Sequence, residues 1–156
     1  MHDIIVNTYY VDSDSVGRTG IPALRRKSLG TAGGAPDWSD QEIISGVEDL
    51  QVQFGIDNGR DANNDGIPDD TDGNGLPDSY TGVASAWVNA NAVPATALIV
   101  SVRFWLMVRS ETAEQGFRDT RAYTYADRVN YQPNDNFRRL LVSRTIQLRN
   151  TLSIGP

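Results

Sequence analysis

The sequence predicts a mainly β fold: one domain over residues 1–156, built on an antiparallel sheet. Three observations carry that expectation. Five or more runs are rich in β-branched and aromatic residues, turn-rich segments separate them, and no long stretch has helical periodicity. Residues 58–97, 40 in number, are too many for a plain connection between two strands and point to a functional insertion.

Ile4 to Val11 (IIVNTYYV) opens the chain as a strand, and Asp12 to Gly20 is a turn cluster. Ile21 to Leu29 returns as a second strand carrying Arg25, Arg26 and Lys27, so the two read as a hairpin with one solvated face. Gly30 to Ser39 reads as a loop, and Asp40 to Gly46 as a short capped turn of helix. Leu50, Val52, Phe54 and Ile56 then alternate with Gln51, Gln53 and Gly55, the mark of a half-buried strand that runs straight into the insertion.

Gly82 to Ala97 has no clear period, and Trp87 reads as a packing residue or part of a short helix. Leu98 to Ser110 is the strongest strand, with Val100, Val102, Phe104, Leu106 and Val108 on one face. Trp105 and Met107 on its other face suggest cover by a further element. Glu111 to Gly116 is a loop, Tyr123 and Tyr125 have strand character, and Gln132 to Asn136 is a turn. Phe137 to Leu148 closes the sheet.

The insertion carries the narrowest chemistry. Within residues 57–80, Asp61, Asn63, Asp65, Asp69 and Asp72 put side-chain oxygens at loop positions 1, 3, 5, 9 and 12, with Gly66 at position 6. A hard cation needs six or more converging oxygens, and the carbonyl of Ile67 supplies position 7. Nine residues on, the pattern returns with Asp70, Asp72, Asn74, the Leu76 carbonyl and Asp78, and with Thr81 where a bidentate acid belongs. This grammar is similar to the calcium loops of dockerins and thrombospondin type 3 repeats. One calcium ion is expected, and a second is open because Asp72 belongs to both registers.

Charge points the same way. Residues 57–78 hold seven acids and one base, while the remaining 13 acids and 13 bases cancel, so the whole net charge of −6 lies in this loop. Carboxylates so crowded repel, and a divalent ion is the simplest compensation; an acidic Gly/Pro/Asn-rich segment without one would stay disordered.

Composition bounds the function. Hydrophobic content of 39% supports a core, and no run of 18 apolar residues spans a membrane. Residues 1–10 lack the features of a signal peptide. Without cysteine there is no thiol nucleophile or Cys-type zinc site, and the sole histidine is His2, so no Ser/His or Cys/His arrangement can be built. An acidic balance with no basic stripe argues against nucleic acid as a partner. Weak calcium sites fill outside the cytoplasm, where the ion is abundant.

Ile44 to Asp57 (ISGVEDLQVQFGID) resembles the signature of PilW, a minor pilin family of the type IV pilus. The early Tyr9-Tyr10-Val11, the strand from Val100 to Phe104, and Arg138-Arg139 with Thr145 to Asn150 follow in the family's order, so the resemblance covers nearly the whole chain. It implies an α+β pilin-like protein whose N-terminal apolar helix and prepilin peptidase site lie outside this sequence, which then corresponds to the soluble headpiece. That helix would anchor the protein in the inner membrane, facing the periplasm, and later pack into the extracellular pilus tip. Other minor pilins and a PilY1-type tip adhesin are the implied partners in a priming complex, with adhesion, twitching motility and DNA uptake all open as the function served. Such a role needs surfaces, with Trp38, Trp87 and Phe117 as loop candidates, and no catalysis. The calcium loops rest on the residues alone. A type II secretion minor pseudopilin (GspJ-like) and a free-standing calcium-dependent binding module are the alternatives.

Overall fold

The computed structural model describes residues 5–32 and 35–148. Nine strands run through them: β1 (Asn7–Asp12), β2 (Ala23–Ala32), β3 (Ala35–Ser45), β4 (Val47–Asp57), β5 (Ala86–Asn89), β6 (Leu98–Arg109), β7 (Tyr123–Tyr125), β8 (Arg128–Tyr131) and β9 (Arg139–Gln147). The helical content of the described residues is one 3-10 turn, Ala90–Ala92, so the protein is mainly β. No helix among them is long and apolar enough to cross a membrane. The sheets run β1-β2-β3, β5-β4-β6-β9 and β7-β8, and β1/β2, β2/β3 and β4/β5 pair antiparallel.

The chain forms two compact units. One comprises the residues up to Leu50 with Trp105–Thr124 and Arg128–Val142; the other comprises Gln51–Phe104, Tyr125–Asp127 and the residues from Ser143. In the first, Ala23, Val47 and Met107 are fully enclosed and Leu24 and Tyr123 nearly so. In the second, Ile56 and Val100 are the buried apolar residues of β4 and β6. Gly55 is glycine there for want of room, because a Cβ would overlap the buried Ser101 hydroxyl and press on Ala84 and Trp87.

The expected hairpin of β1 and β2 forms, with Tyr10 opposite Arg25 and Asn7 opposite Ser28. Ile4, where the first strand was expected to begin, lies outside the described residues. Two expectations are corrected. Gly30 to Ser39 is no loop, since β2 continues to Ala32 and β3 starts at Ala35. Asp40 to Gly46 is no helical turn, because β3 runs through Ser45. The reason is that β3 is solvated on nearly its whole length and so lacks the apolar alternation that announces a strand. Its register is held by polar partners instead: Asp40 accepts from Tyr10 Oη at 2.5 Å and Arg25 Nε at 3.1 Å. Gly46, at φ +81°, then turns the chain into β4 where a Cβ would crowd the Arg109 carbonyl at 2.8 Å.

Trp38 and Trp87, expected in loops, sit in β3 and β5. Arg103 stacks on Trp87 at 3.8 Å, and Arg138 on Phe117 at 4.3 Å, so both rings already have partners. Met107 is fully enclosed, which removes it from the residues needing further cover. Exposed apolar side chains instead alternate along β9, with Leu140 64%, Val142 36% and Ile146 52% exposed.

Candidate metal centre in the acidic loop

Residues 58–85 contain no strand, yet their backbone is ordered by repetition. Asp69 N donates to the Arg60 carbonyl and Asp78 N to the Asp69 carbonyl, both at 2.8 Å, and Arg60 N reaches Ser79 O at 2.9 Å. Gly59 carries this ladder's base. A Cβ there would overlap Pro77 and press on Pro68, so three residues nine apart stack on one another.

Within each turn of the ladder the same hydrogen bonds recur. Gly66 N donates to Asp61 Oδ2 at 2.9 Å and Gly75 N to Asp70 Oδ2 at 2.8 Å. Ile67 N reaches Asp65 Oδ1 at 2.8 Å and Leu76 N reaches Asn74 Oδ1 at 2.7 Å. Ala62 N and Thr71 N each donate at 3.0 Å to Oδ2 of Asp69 and Asp78. Positive φ repeats as well, at Asn64 (59°) and Gly73 (70°), and at Gly66 (88°) and Gly75 (81°). The glycines sit where the chain must enter the left-handed region between two ligand positions.

The turn from Asp70 converges most. One carboxylate oxygen each of Asp70, Asp72 and Asp78 lies within 4.8 Å of the others, and all three residues are exposed. Their counterparts in the first turn are Asp61, Asn63 and Asp69, so an amide replaces the middle acid there. The Gly75 N–H holds the Asp70 carboxyl below its ordinary range against the opposing cost of desolvation, with Asp72 and the Asn74 N–H adding to it. The second turn thus gathers three carboxylate oxygens with the Asn74 side chain and the Leu76 carbonyl nearby in sequence. This hard-oxygen donor set fits calcium once a bidentate carboxylate or water completes the count.

Thr81 is bound otherwise. Its hydroxyl donates to Asp57 Oδ2 at 2.9 Å and accepts from Val83 N at 3.2 Å. Asp57, 1% exposed, also accepts from Gly59 N at 3.0 Å and Gly82 N at 2.6 Å. These bonds hold its pKa down although burial pushes it up. Asp57 therefore ties both ends of the loop together, a role that reading the loop for ligands alone passes over. The signal was present as glycine or proline at positions 59, 68 and 77, which extends the repeat back to the end of β4.

A second polar cluster lies in the other unit. The Arg139 side chain, 2% exposed, donates to Asp135 at 2.6 and 2.7 Å and to Glu48, and its Nη1 lies 3.7 Å from Asp119. Asp119 is bound by Arg121 at 2.8 and 3.1 Å and by the Tyr123 hydroxyl at 2.8 Å. Arg121 in the first place holds the Asp119 carboxyl at about 2, while burial and Asp119 raise the Tyr123 hydroxyl to about 12. Every acid here has its cation, the arrangement of a structural network. His2 lies outside the described residues.

A family model described as type IV pilus-assembly protein W matches residues 8–150. No curated protein and no solved structure matches the chain.

Proposed function

The chain belongs to the PilW family of type IV pilus-assembly proteins, and on that footing we propose that it is a non-catalytic minor pilin whose acidic loop is a calcium-stabilised contact surface. The family is one of pilus assembly components, so the work of the protein is association with other pilus components. The finer reading adds a pilin-like architecture, in which the family's N-terminal helix lies against apolar strand faces such as Leu140 and Val142 on β9. It also adds the course from the inner membrane, facing the periplasm, to the pilus tip, with other minor pilins and a PilY1-type adhesin as neighbours.

The observation that carries the loop's part is the nine-residue ladder, which aims Asp70, Asp72 and Asp78 at one point in a segment that holds the whole net charge of −6. An ion there would remove the repulsion that works against the ladder, and would fix Ile67 and Leu76, which stand 68% and 51% exposed on it.

Calorimetric titration of the chelator-treated protein with calcium tests this, together with melting curves of the Asp61→Ala/Asp65→Ala and Asp70→Ala/Asp72→Ala variants. Saturable binding is expected, with calcium raising the melting temperature of the parent by several degrees and that of the second pair hardly at all. Equal losses in calcium and in chelator would take the metal out of the account.

A further inference from the structure

Every Asn-Gly and Asp-Gly pair of the chain lies in the acidic loop: Asn58-Gly59, Asp65-Gly66, Asp72-Gly73 and Asn74-Gly75. An Asn before glycine is chemically labile, because no Cβ hinders the glycine nitrogen from reaching the preceding side-chain carbonyl. The two Asn-Gly pairs stand in different surroundings.

At the second, Asn74 and Gly75 are both exposed, and a Cβ on Gly75 would meet open space. The Asn74 Oδ1 accepts from Leu76 N at 2.7 Å, which folds the side chain back along the Gly75 peptide. The Asp70 carboxylate accepts the Gly75 N–H at 2.8 Å, the hydrogen that must leave when the nitrogen attacks. At the first pair a carboxylate likewise accepts the glycine N–H, but it is that of Asp57, 1% exposed, and Gly59 is packed beneath Pro77 and Pro68, so the two sites differ in packing and access to water.

We propose that Asn74 is a self-modification site, and that its conversion to aspartate supplies the carboxylate missing from the second cation loop. Gly75 N bonds to the Asn74 side-chain carbon, its proton passes to the departing amide, and ammonia leaves a succinimide. Water then opens the ring. Attack at the side-chain carbonyl breaks its bond to the Gly75 nitrogen and leaves aspartate, whereas attack at the backbone carbonyl breaks the original peptide bond and leaves isoaspartate; the first completes an Asp70-x-Asp-x-Asp-Gly75 pattern across Asp72, and the second lengthens the backbone and breaks the ladder. The gain in cation affinity rests on the calcium reading above, whereas the site of modification does not.

The test incubates the full chain at mildly alkaline pH, native and in urea, and follows amide-to-acid mass gain in the peptides containing Asn58 and Asn74. In the native chain Asn74 should convert severalfold faster than Asn58, and in urea the two should convert alike, while Asn74→Gln should abolish the native signal. Equal native rates at both sites, or an Asn74 that keeps its amide while the urea-unfolded chain loses it, would overturn the site. Separately, Asn74→Asp should bind calcium about tenfold more tightly, since ligand charge sets affinity in such loops. If native conversion at Asn74 holds and this gain is absent, the cation half of the proposal falls.

Discussion

At the scale of single residues, Asp119 makes a prediction that pH can read. Its side chain is fully enclosed, with Arg121 and the Tyr123 hydroxyl on its oxygens, and its pKa falls to about 2. An unfolded aspartate titrates near 3.9, so between those values the unfolded chain binds the extra proton. Stability from this group is therefore present above about pH 4 and lost as pH falls toward 2, amounting to about 2 kcal/mol. Asp119→Asn should lower stability by that order at neutral pH and flatten the acid limb of a urea-denaturation series. An unchanged limb would mean that other carboxylates carry it. None of this was legible in the sequence, where Asp119, Arg121 and Arg139 look like ordinary surface charges. Asp135 lies four residues from Arg139, but Glu48 reaches it from 91 residues away, and local pattern holds no trace of that pairing. By contrast, the glycines of the acidic loop were legible, because their φ requirement is set by the repeated motif itself.

At the scale of elements, a strand could be read wherever its faces differ in polarity. The half-buried β4 and the long β6 were found for that reason, with β4 ending at Asp57, where the acidic loop was expected to begin. β3 was missed because it is solvated on nearly its whole length, so Trp38, Asp40 and Glu42 gave no period, and pairing with β2, which sets Lys27 opposite Asp40 and Arg25 opposite Glu42, fixes it as a strand. The loop was read correctly as a nine-residue repeat, but its closure was not, since Asp57 was taken as the edge of the stretch. Two kinds of bond now divide the work there. Asp57 fastens the ends through Gly59, Thr81 and Gly82, while Asp70, Asp72 and Asp78 of the second turn converge on one another. Asp57→Ala should therefore speed limited proteolysis within residues 58–82 to a similar degree in calcium and in chelator. Asp70→Ala should do so in calcium alone, where the parent is protected. If calcium restores full protection to Asp57→Ala, the clamp is redundant and the ladder closes by itself.

At the scale of the whole molecule, the charge and the apolar surface are separable. The net charge resides in one loop, and the remainder of the chain is balanced, so a calcium effect and an assembly effect can be perturbed by different substitutions. Family membership was legible from the run ending at Asp57, whereas the amount of apolar surface left open was not, because β6 alone suggested two bare faces and Met107 proved enclosed. Among the apolar residues that stay open are Leu140 and Val142, which project from one side of β9. Leu140 is 64% exposed, so Leu140→Ser removes little buried area and should cost no more than about 0.5 kcal/mol, whereas Val142, 36% exposed, is largely covered and Val142→Ser should cost about 1 kcal/mol. If pilus assembly uses this side of β9 as a packing surface, the same double variant should fail to restore piliation in cells lacking the parent protein. Its melting temperature should fall by only a few degrees, and its calcium binding should remain that of the parent. A variant that assembles normally would shift the packing surface to another strand, and one that unfolds would show that these β9 side chains already support the fold.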